Sequence, residues 1–368
     1  MKVNKLIMTI CIVGGFLGFF AKNAAAEGIN YSVKATIPEN QIDASKSYFD
    51  LKMTPNQEQD LAMTLKNTSK ESITVNVTPT TATTNQNGVI DYSVRDTKDD
   101  SSLAYPFTSL VDKEQKVTLK ADESKEVIFK LHMPKESFDG TILGGFSIAE
   151  DTTSDKNEKS SEGVQIKNEY SFVIGVSLKE TEATVVPELV LNDVKPTLLN
   201  YRTAVTLNLQ NTKATIVNGL KVDASISKKG SSEVLYKETK EGLSMAPNSN
   251  FDYPVSWSNE ALKAGEYEVS VKASAGEKNW TFKKAFIISA DESKKLNDEA
   301  VEVKQETNYF WWIIGSVLGI IFFIVAVVVF FMYKRQKEKK RKEEEAKLKA
   351  KRKRIKKKKK KIDNNVAE

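Results

Sequence analysis

Hydrophobic and polar residues alternate along most of the chain, apart from its two ends. The alternation has a period of two, as over residues 73–77 and 127–133, and polar turn-forming residues separate the alternating segments. A strand that buries one face of a sheet places every second side chain on that face. The pattern therefore predicts an all-β fold of two tandem immunoglobulin-like β-sandwich domains, at residues 27–182 and 183–289.

One wholly polar run, residues 150–162, interrupts the first predicted domain. This run is either the linker between two domains or the tip of a hairpin that joins strands over residues 142–148 and 164–178. We favour the hairpin, because two long neighbouring strands usually pair with each other. The boundary between the two domains is then predicted after residue 182.

A weak internal repeat relates the two predicted domains. Residues 61–68 resemble residues 204–212, and each segment ends in an Asn-Thr pair that begins at Asn67 or at Asn211. Later in each half, a polar turn again precedes an alternating strand. Two sandwiches of related design would produce this repeat, and so would chance in strands that are rich in Thr and Asn.

Two apolar segments flank the predicted domains. Residues 1–26 combine Lys2 and Lys5 with an apolar stretch and three consecutive alanines, which is typical of a secretory signal peptide; an uncleaved anchor is the alternative. Residues 309–333 carry no charge and are bordered by aromatic side chains, as in a transmembrane helix. The charged, aperiodic residues 290–308 between the second domain and this helix are predicted to form a stalk.

Charge is segregated along the chain. The formal net charge is +6, but residues 27–308 contain 33 basic and 43 acidic residues, whereas residues 334–368 contain 19 basic and 6 acidic ones. The positive-inside rule places this basic tail in the cytoplasm and residues 27–308 outside, so we predict a single-pass type I protein of the cell membrane. Attraction of the tail to anionic inner-leaflet lipids is more economical than binding to nucleic acid, and a topology signal alone is the simplest alternative.

Few residues are available for catalysis or metal binding. The chain has one cysteine, Cys11, and one histidine, His132, which excludes a His/Cys zinc site and a disulfide framework. His132 alternates with two hydrophobic neighbours and is therefore predicted on the solvent face of its strand. Acidic residues at 96–100 and 151–155 lack the ligand spacing of a calcium loop. We predict a chain that is not an enzyme and has no catalytic residue, cofactor or metal site.

Aromatic residues offer the best candidates for binding. Tyr105, Pro106 and Phe107 lie in a less periodic segment and are weak surface candidates. Trp257 and Trp280 each share a strand face with other hydrophobic residues, so both are predicted to lie in the core.

Several multi-residue blocks resemble the WxL-interacting proteins of Gram-positive bacteria. Blocks that resemble the N-terminal domain of that family are residues 38–41, 47–51, 85–92 and 138–146. Blocks that resemble its C-terminal domain are residues 192–205, 243–251 and 262–267. The blocks occur in order across the predicted extracellular part. The signal peptide, the single C-terminal helix and the basic tail also match the layout of the family.

The resemblance implies a cell-surface adaptor whose first domain binds peptidoglycan and whose second domain binds host extracellular proteins in adhesion. It also implies a partner, a surface protein that carries a wall-binding WxL domain, since this chain contains no Trp-x-Leu motif of its own. The resemblance supplies no binding motif at the level of residues. Two alternatives stay open: a cell-wall hydrolase that works through carboxylates, and a surface receptor with a lipid-binding basic tail.

Overall fold

In the computed structural model, the alternating segments form strands of two tandem immunoglobulin-like β-sandwiches, and one long helix follows near the C-terminus. The structure describes residues 29–93, 98–151, 170–303 and 310–364. The predicted signal peptide, and the predicted polar loop from residue 152 onward, lie outside the described residues.

The first sandwich packs a three-stranded sheet against a five-stranded one. Its strands are β1 (Tyr31–Ala35), β2 (Phe49–Lys52), β3 (Glu58–Asn67), β4 (Ile73–Thr81), β5 (Thr83–Thr84), β6 (Ile90–Asp91), β7 (Gln115–Leu119), β8 (Ser124–His132), β9 (Ile142–Glu150) and β10 (Ser171–Lys179). The sheet orders are β1-β3-β8 and β2-β10-β9-β4-β7, and β5 and β6 form a separate ribbon. A short helix, α1 (Phe107–Leu110), packs beside β4 and β9.

The first sandwich buries the residues that the period of two placed on one face. Leu61, Met63 and Leu65 of β3 are fully buried, and they pack in one core with Phe129 and Phe146. Burying a side chain of this size contributes about 1.5–3 kcal/mol relative to leaving it in water. Since the described first sandwich contains no disulfide cysteine, this packed core is what holds its two sheets together.

The N-terminal part of the chain crosses from one sheet to the other. β1 pairs with β3 in the three-stranded sheet, whereas β2 pairs in parallel with residues Val176–Lys179 of β10 in the five-stranded sheet. β9 pairs with β10 from Ser171 to Leu178 on the opposite side. Within the described chain, the first half of β10 therefore has a strand partner on only one of its edges.

β9 and β10 are antiparallel neighbours in the five-stranded sheet. This is the arrangement that the favoured hairpin predicts for the strands on either side of the polar loop. β10 ends at Lys179 and the next strand begins at Leu189, so the predicted domain boundary at residue 182 falls in the connection between them.

The second sandwich has a three-stranded and a four-stranded sheet, with the orders β11-β12-β15 and β14-β13-β16-β17. Its strands are β11 (Leu189–Leu199), β12 (Arg202–Asn211), β13 (Val217–Lys228), β14 (Val234–Met245), β15 (Ser249–Ser256), β16 (Gly265–Ala275) and β17 (Lys278–Ile288). Trp257 and Tyr253 are among its largest fully buried side chains, and Trp280 packs against the same core. Trp257 thus lies in the core as predicted, whereas Trp280 is half-buried at the edge of the core.

The segment after the second sandwich differs from the predicted stalk. Ala290–Glu299 form a helix, α2, whose N-cap Ser289 accepts a hydrogen bond from the backbone N–H of Glu292. The Ser293 hydroxyl donates to the carbonyl oxygen of Leu262 (2.8 Å), and the side chain of Asn297 bonds both backbone groups of Leu262. These polar side chains and Leu296, which packs against the core of the second sandwich, attach the helix. A single hydrophobic contact leaves no periodic pattern, so the hydrophobic pattern gave no sign of this helix.

Hydrogen bonds join the two sandwiches directly, and both belong to one compact unit that ends at Val303. The carboxylate of Asp100 accepts hydrogen bonds from the side chains of Gln210 and Asn250. The hydroxyls of Thr84 and Ser249 lie 2.6 Å apart. A small apolar cluster that includes Ala82, Leu143 and Ala246 also spans the junction. These contacts orient one sandwich against the other.

The second compact unit, Lys304–Glu368, contains the long helix α3 (Phe310–Asn364). Among the described residues, this is the one helix that is long and apolar enough to cross a membrane. Its apolar part coincides with the predicted span at residues 309–333, and its remainder belongs to the basic tail.

Candidate binding groove

A groove of about 890 Å³ runs along β10 in the first sandwich. Six consecutive β10 residues, from Phe172 to Ser177, line it. Successive side chains of a strand point to opposite faces of the sheet, so a groove that reaches all six residues must follow the edge of the strand. We call it the edge groove. Its volume falls within the range of roughly 300–1,000 Å³ that is usual for ligand sites.

The opposite wall of the edge groove is the other sheet of the sandwich. Val33 and Ala35 of β1, together with Ile37 beyond it, line this wall. β1 is the edge strand of the three-stranded sheet. Both sheets therefore end at the groove, and apolar side chains from both ends line it.

Tyr31 joins the two walls beside Phe172. Its hydroxyl donates a hydrogen bond to the carbonyl oxygen of Ile148 (2.8 Å) on the far sheet, and its ring meets the ring of Phe172 edge to face at 5.4 Å. Burial, followed by the nearby charge of Glu150, raises the pKa of Tyr31 to about 12. The hydroxyl is thus a neutral donor at neutral pH, and it holds β1 against the five-stranded sheet.

Two glycines form a recess on the outer face of the five-stranded sheet. Gly145 of β9 and Gly175 of β10 are paired across the strands. Tyr92 packs against Gly145 and Tyr48 lies beside Gly175. Tyr48 keeps 37% of its surface exposed, and both tyrosines line the edge groove. Each aromatic ring offers a flat apolar surface with a polar tip to a bound molecule.

The charged residues of the edge groove are three lysines and one aspartate, Lys34, Lys46, Lys179 and Asp50. Lys46 and Asp50 form an ion pair of 2.7 Å, and the hydrogen bond that Lys46 donates to the carboxylate of Asp50 raises the pKa of Lys46. Within the described chain, Lys34 and Lys179 have no such carboxylate partner. The groove is therefore locally basic on a body, residues 27–308, that has a surplus of acidic residues. Such a local field attracts anionic ligands.

Tyr105, Pro106 and Phe107, the surface candidates from the sequence, do not line the edge groove. Phe107 is fully buried and meets the ring of Phe146 edge to face, so its prediction as a surface residue was wrong. It begins α1, whose hydrophobic residues point into the core. Tyr105 and Pro106 are half-buried, and Tyr105 lines a smaller cavity with Phe138. Binding through Tyr105 or Pro106 stays a prediction.

Three polar residues that the sequence analysis considered, His132, Asp100 and Asp151, each have a polar partner nearby. His132 is exposed and lies 3.3 Å from the carboxylate of Glu58, which is also exposed. Asp100, at the end of one acidic cluster, bonds the second sandwich, and Asp151, at the start of the other, pairs with Lys116. Among the described residues, no group of three or more His, Cys, Asp and Glu is placed to hold a metal ion.

Comparison with known protein families decides the affiliation. The model of the WxL-interacting protein peptidoglycan-binding domain matches residues 31–150, and that of the WxL-interacting protein host-binding domain matches residues 161–298. The chain belongs to the WxL-interacting protein family. Both family descriptions name binding domains. The two matches meet in the first sandwich, since the second one starts before β10 and so includes one wall of the edge groove.

Solved structures with low similarity include several pilus chaperones. A chaperone–tip adhesin complex of CFA/I fimbriae is 12% identical, with 70% of this chain and 98% of that chain covered and a TM-score of 0.27. The E. coli chaperone DraB is 13% identical, with 70% and 97% covered and a TM-score of 0.25. These values carry no argument about function. A search of curated proteins found no match to this chain.

Sequence reasoning missed the edge groove. Lys179 lies more than 100 residues after Lys34 and Lys46 in the chain, and the alternation treats β10 as an ordinary half-buried strand. One signal was available: residues 171–175 (SFVIG) carry no charge in a segment preceded by a highly charged run. An uncharged strand next to a polar loop can lie anywhere in a sheet. The open edge of β10 could therefore be recognised only once its strand pairing was known.

Proposed function

We propose that this protein is a membrane-anchored adaptor of the bacterial surface that binds peptidoglycan and a WxL-domain protein, and through them contributes to attachment to host proteins. The tandem match to the two binding domains of the family carries this proposal. The sandwiches support it as rigidly joined scaffolds, since side-chain hydrogen bonds connect them.

The proposed anchor is the apolar part of α3, with the sandwiches outside the cell and the basic tail inside. A run of uncharged residues followed at once by Lys334 and Arg335 supports this orientation, because basic residues stay on the cytoplasmic side. Attraction to anionic lipids would then stabilise the tail at the inner leaflet by about 1 kcal/mol per basic residue held near the surface.

Two binding assays test the adaptor role. The full chain in lipid nanodiscs should capture a WxL-domain protein from the same genome and should sediment with purified peptidoglycan sacculi. A WxL-domain protein with its motif tryptophan changed to alanine and an unrelated β-sandwich protein in nanodiscs are the matched controls. Binding no greater than that of these controls in both assays would contradict the proposal.

Cysteine labelling tests the orientation. In a Cys11→Ser background, Ser231→Cys places a thiol in an exposed turn of the second sandwich, and Ala346→Cys places one in the exposed tail. A membrane-impermeant maleimide should label position 231 on intact cells, whereas position 346 should react only after the membrane is opened. The reverse pattern would place the sandwiches inside and end the proposal.

A further inference from the structure

The first half of β10 is an open strand edge. β2 covers β10 only from Val176 onward, so the edge that faces away from β9 has no strand partner from Ser171 to Gly175 within the described chain. Unpaired backbone N–H and C=O groups at such an edge can pair with another strand. Five residues at about 3.3 Å each give roughly 16 Å of edge.

The open edge is apolar, unlike the edge strands of the second sandwich. β14 and β17 border the four-stranded sheet there, and both carry lysines, including Lys237 and Lys283. Lysines on an edge strand oppose pairing with a further chain. The residues Ser171–Gly175 lack any charge, and Val173 among them is 42% exposed. The first sandwich therefore leaves open the kind of edge that the second one protects.

Charge indicates what the edge groove would bind. Lys34 on one wall and Lys179 near the end of β10 are without a carboxylate partner in the described chain, whereas Lys46 is already neutralised by Asp50. A bound segment with a carboxylate near each end would supply the missing partners. Its apolar side chains would lie against the walls that Val33 and Phe172 contribute.

We propose that the edge groove takes an extended segment of a partner protein, which adds as a β-strand along Ser171–Gly175 and places its carboxylates near Lys34 and Lys179. Main-chain hydrogen bonds supply affinity in this mode of binding, and alternate side chains supply specificity. The inference rests on the proposed function only in naming the WxL-domain protein as the expected source of the segment.

Disulfide trapping tests the position and the strand geometry together. The full chain in nanodiscs, in the Cys11→Ser background, carries Val173→Cys. The probe is a synthetic peptide that alternates valine with threonine, has aspartate at both ends, and carries one cysteine that is moved along it. The yield of the mixed disulfide should rise and fall with a period of two along the peptide, because alternate residues of a strand face the same side.

A matched variant controls for general reactivity. Val190→Cys places a thiol on β11, an edge strand of the second sandwich, where Val190 is 37% exposed. It should give a low yield that does not vary along the peptide. Equal yields at positions 173 and 190, or no periodicity at position 173, would overturn the proposal. Protection of the thiol at 173 by soluble peptidoglycan fragments, with no peptide crosslink, would instead make the groove a wall-binding site and also overturn it.

Charge variants test the role of the lysines. Lys34→Glu and Lys179→Glu should each weaken binding of the peptide up to about fivefold, as expected for partly exposed ion pairs. A peptide with lysine ends should show the opposite preference. Lys66→Glu is the matched control, since Lys66 is an exposed β3 residue that does not line the groove. Unchanged affinity of both groove variants would overturn the charge assignment in the proposal.

The WxL-domain partner separates this inference from the proposed function. Val173→Lys should abolish its capture, whereas Val190→Lys should not. If the wild-type chain captures the partner and Val173→Lys captures it equally well, the groove proposal fails and the adaptor role stands. If no chain captures the partner but the peptide crosslinks with a period of two, the groove proposal stands and the WxL partner is wrong.

Discussion

Each sandwich has a buried asparagine at the end of one strand, and the two asparagines make matching hydrogen bonds. We call this feature the corner. Asn67 ends β3 in the first sandwich and Asn211 ends β12 in the second, and both side chains are fully buried. Each side-chain amide donates to the carbonyl oxygen of the residue four positions later, Glu71 (2.7 Å) or Thr215 (2.7 Å). Each side-chain oxygen also accepts a backbone N–H two residues later.

Each asparagine also holds the loop before a later strand. Asn67 donates to the carbonyl oxygen of Lys120 before β8, and Asn211 to that of Ala246 before β15. The weak sequence repeat thus corresponds to one structural device used twice, which favours related design over chance. A buried amide with this many partners fixes the positions of three chain segments at once.

The sandwiches differ at their first strand. In the second sandwich, β11 continues beside β12 for eleven residues, past a bulge between Leu191 and Val194. In the first, β1 has five residues and the chain then crosses to the other sheet as β2. Within the part of the chain that the structure describes, this division leaves the first half of β10 without a partner strand on one edge. A shared framework can thus expose a strand edge when one strand is split between the two sheets.

The largest expected loss of stability comes from removing the buried asparagine at either corner. Asn67→Ala and Asn211→Ala each leave buried backbone carbonyls without a donor, so we expect each to lower the free energy of unfolding by about 3 kcal/mol. The four tryptophans all lie after residue 256. Trp257 and Trp280 lie in the second sandwich, Trp311 and Trp312 lie in α3, and the first sandwich has no tryptophan. During chemical unfolding of the full chain in micelles, a change in tryptophan fluorescence therefore reports the second sandwich or α3 and never the first sandwich, whereas far-UV circular dichroism follows both sandwiches.

The two signals should separate the two variants. Asn211→Ala should shift the fluorescence transition, and Asn67→Ala should shift chiefly the circular dichroism transition. Asn279→Ala is the control, because Asn279 is exposed on β17 and makes one long hydrogen bond. If either corner variant behaves like this control, the corners are not equivalent in energy.

Particular residues show what the sequence could predict. The alternation at Leu61, Met63 and Leu65 predicted a strand and its buried face, because burial on one side of a sheet leaves a period of two. The Asn-Thr pairs at Asn67 and Asn211 suggested a repeat, but their function as corners depends on loops that are distant in sequence. The edge groove was not predicted, since an open edge is the absence of a partner strand and leaves no periodic signal.

Alanine substitutions at two glycines test whether the inner and outer faces of the five-stranded sheet differ in the space they leave for a side chain. A Cβ at Gly144 would lie 2.3 Å from the ring of Phe107, which is fully buried, whereas a Cβ at Gly175 would find Tyr48 at 3.9 Å. Gly144→Ala should therefore lower the free energy of unfolding by about 2 kcal/mol, because an overfilled core must shift. Gly175→Ala should be tolerated. Chemical unfolding followed by circular dichroism measures both, and equal losses would refute the difference.

The smallest expected loss of stability comes from removing the carboxylate of Asp100 at the junction between the sandwiches. The size of this loss depends on pH. Burial of Asp100 works against its charge, but hydrogen bonds from Asn250, Ser102 and Gln210 outweigh burial and lower the pKa of its carboxyl group. A lowered pKa in the folded state means that the unfolded state binds the proton more tightly. The contribution of Asp100 is thus present above the unfolded pKa of about 3.9 and is lost as the pH falls through the folded value.

Asp100→Asn removes this titration and replaces one acceptor by an amide donor that faces other donors. At pH 7 the free energy of unfolding of the variant should be about 1 kcal/mol lower than that of the wild type, and this difference should be smaller at pH 3. Asp252→Asn is the matched control, because Asp252 is exposed and bonds Asn208 within one sandwich. A gap for Asp100→Asn that is the same at both pH values would mean that the charge of Asp100 does not stabilise the junction, and the two sandwiches would then be joined by the hydroxyl and apolar contacts alone.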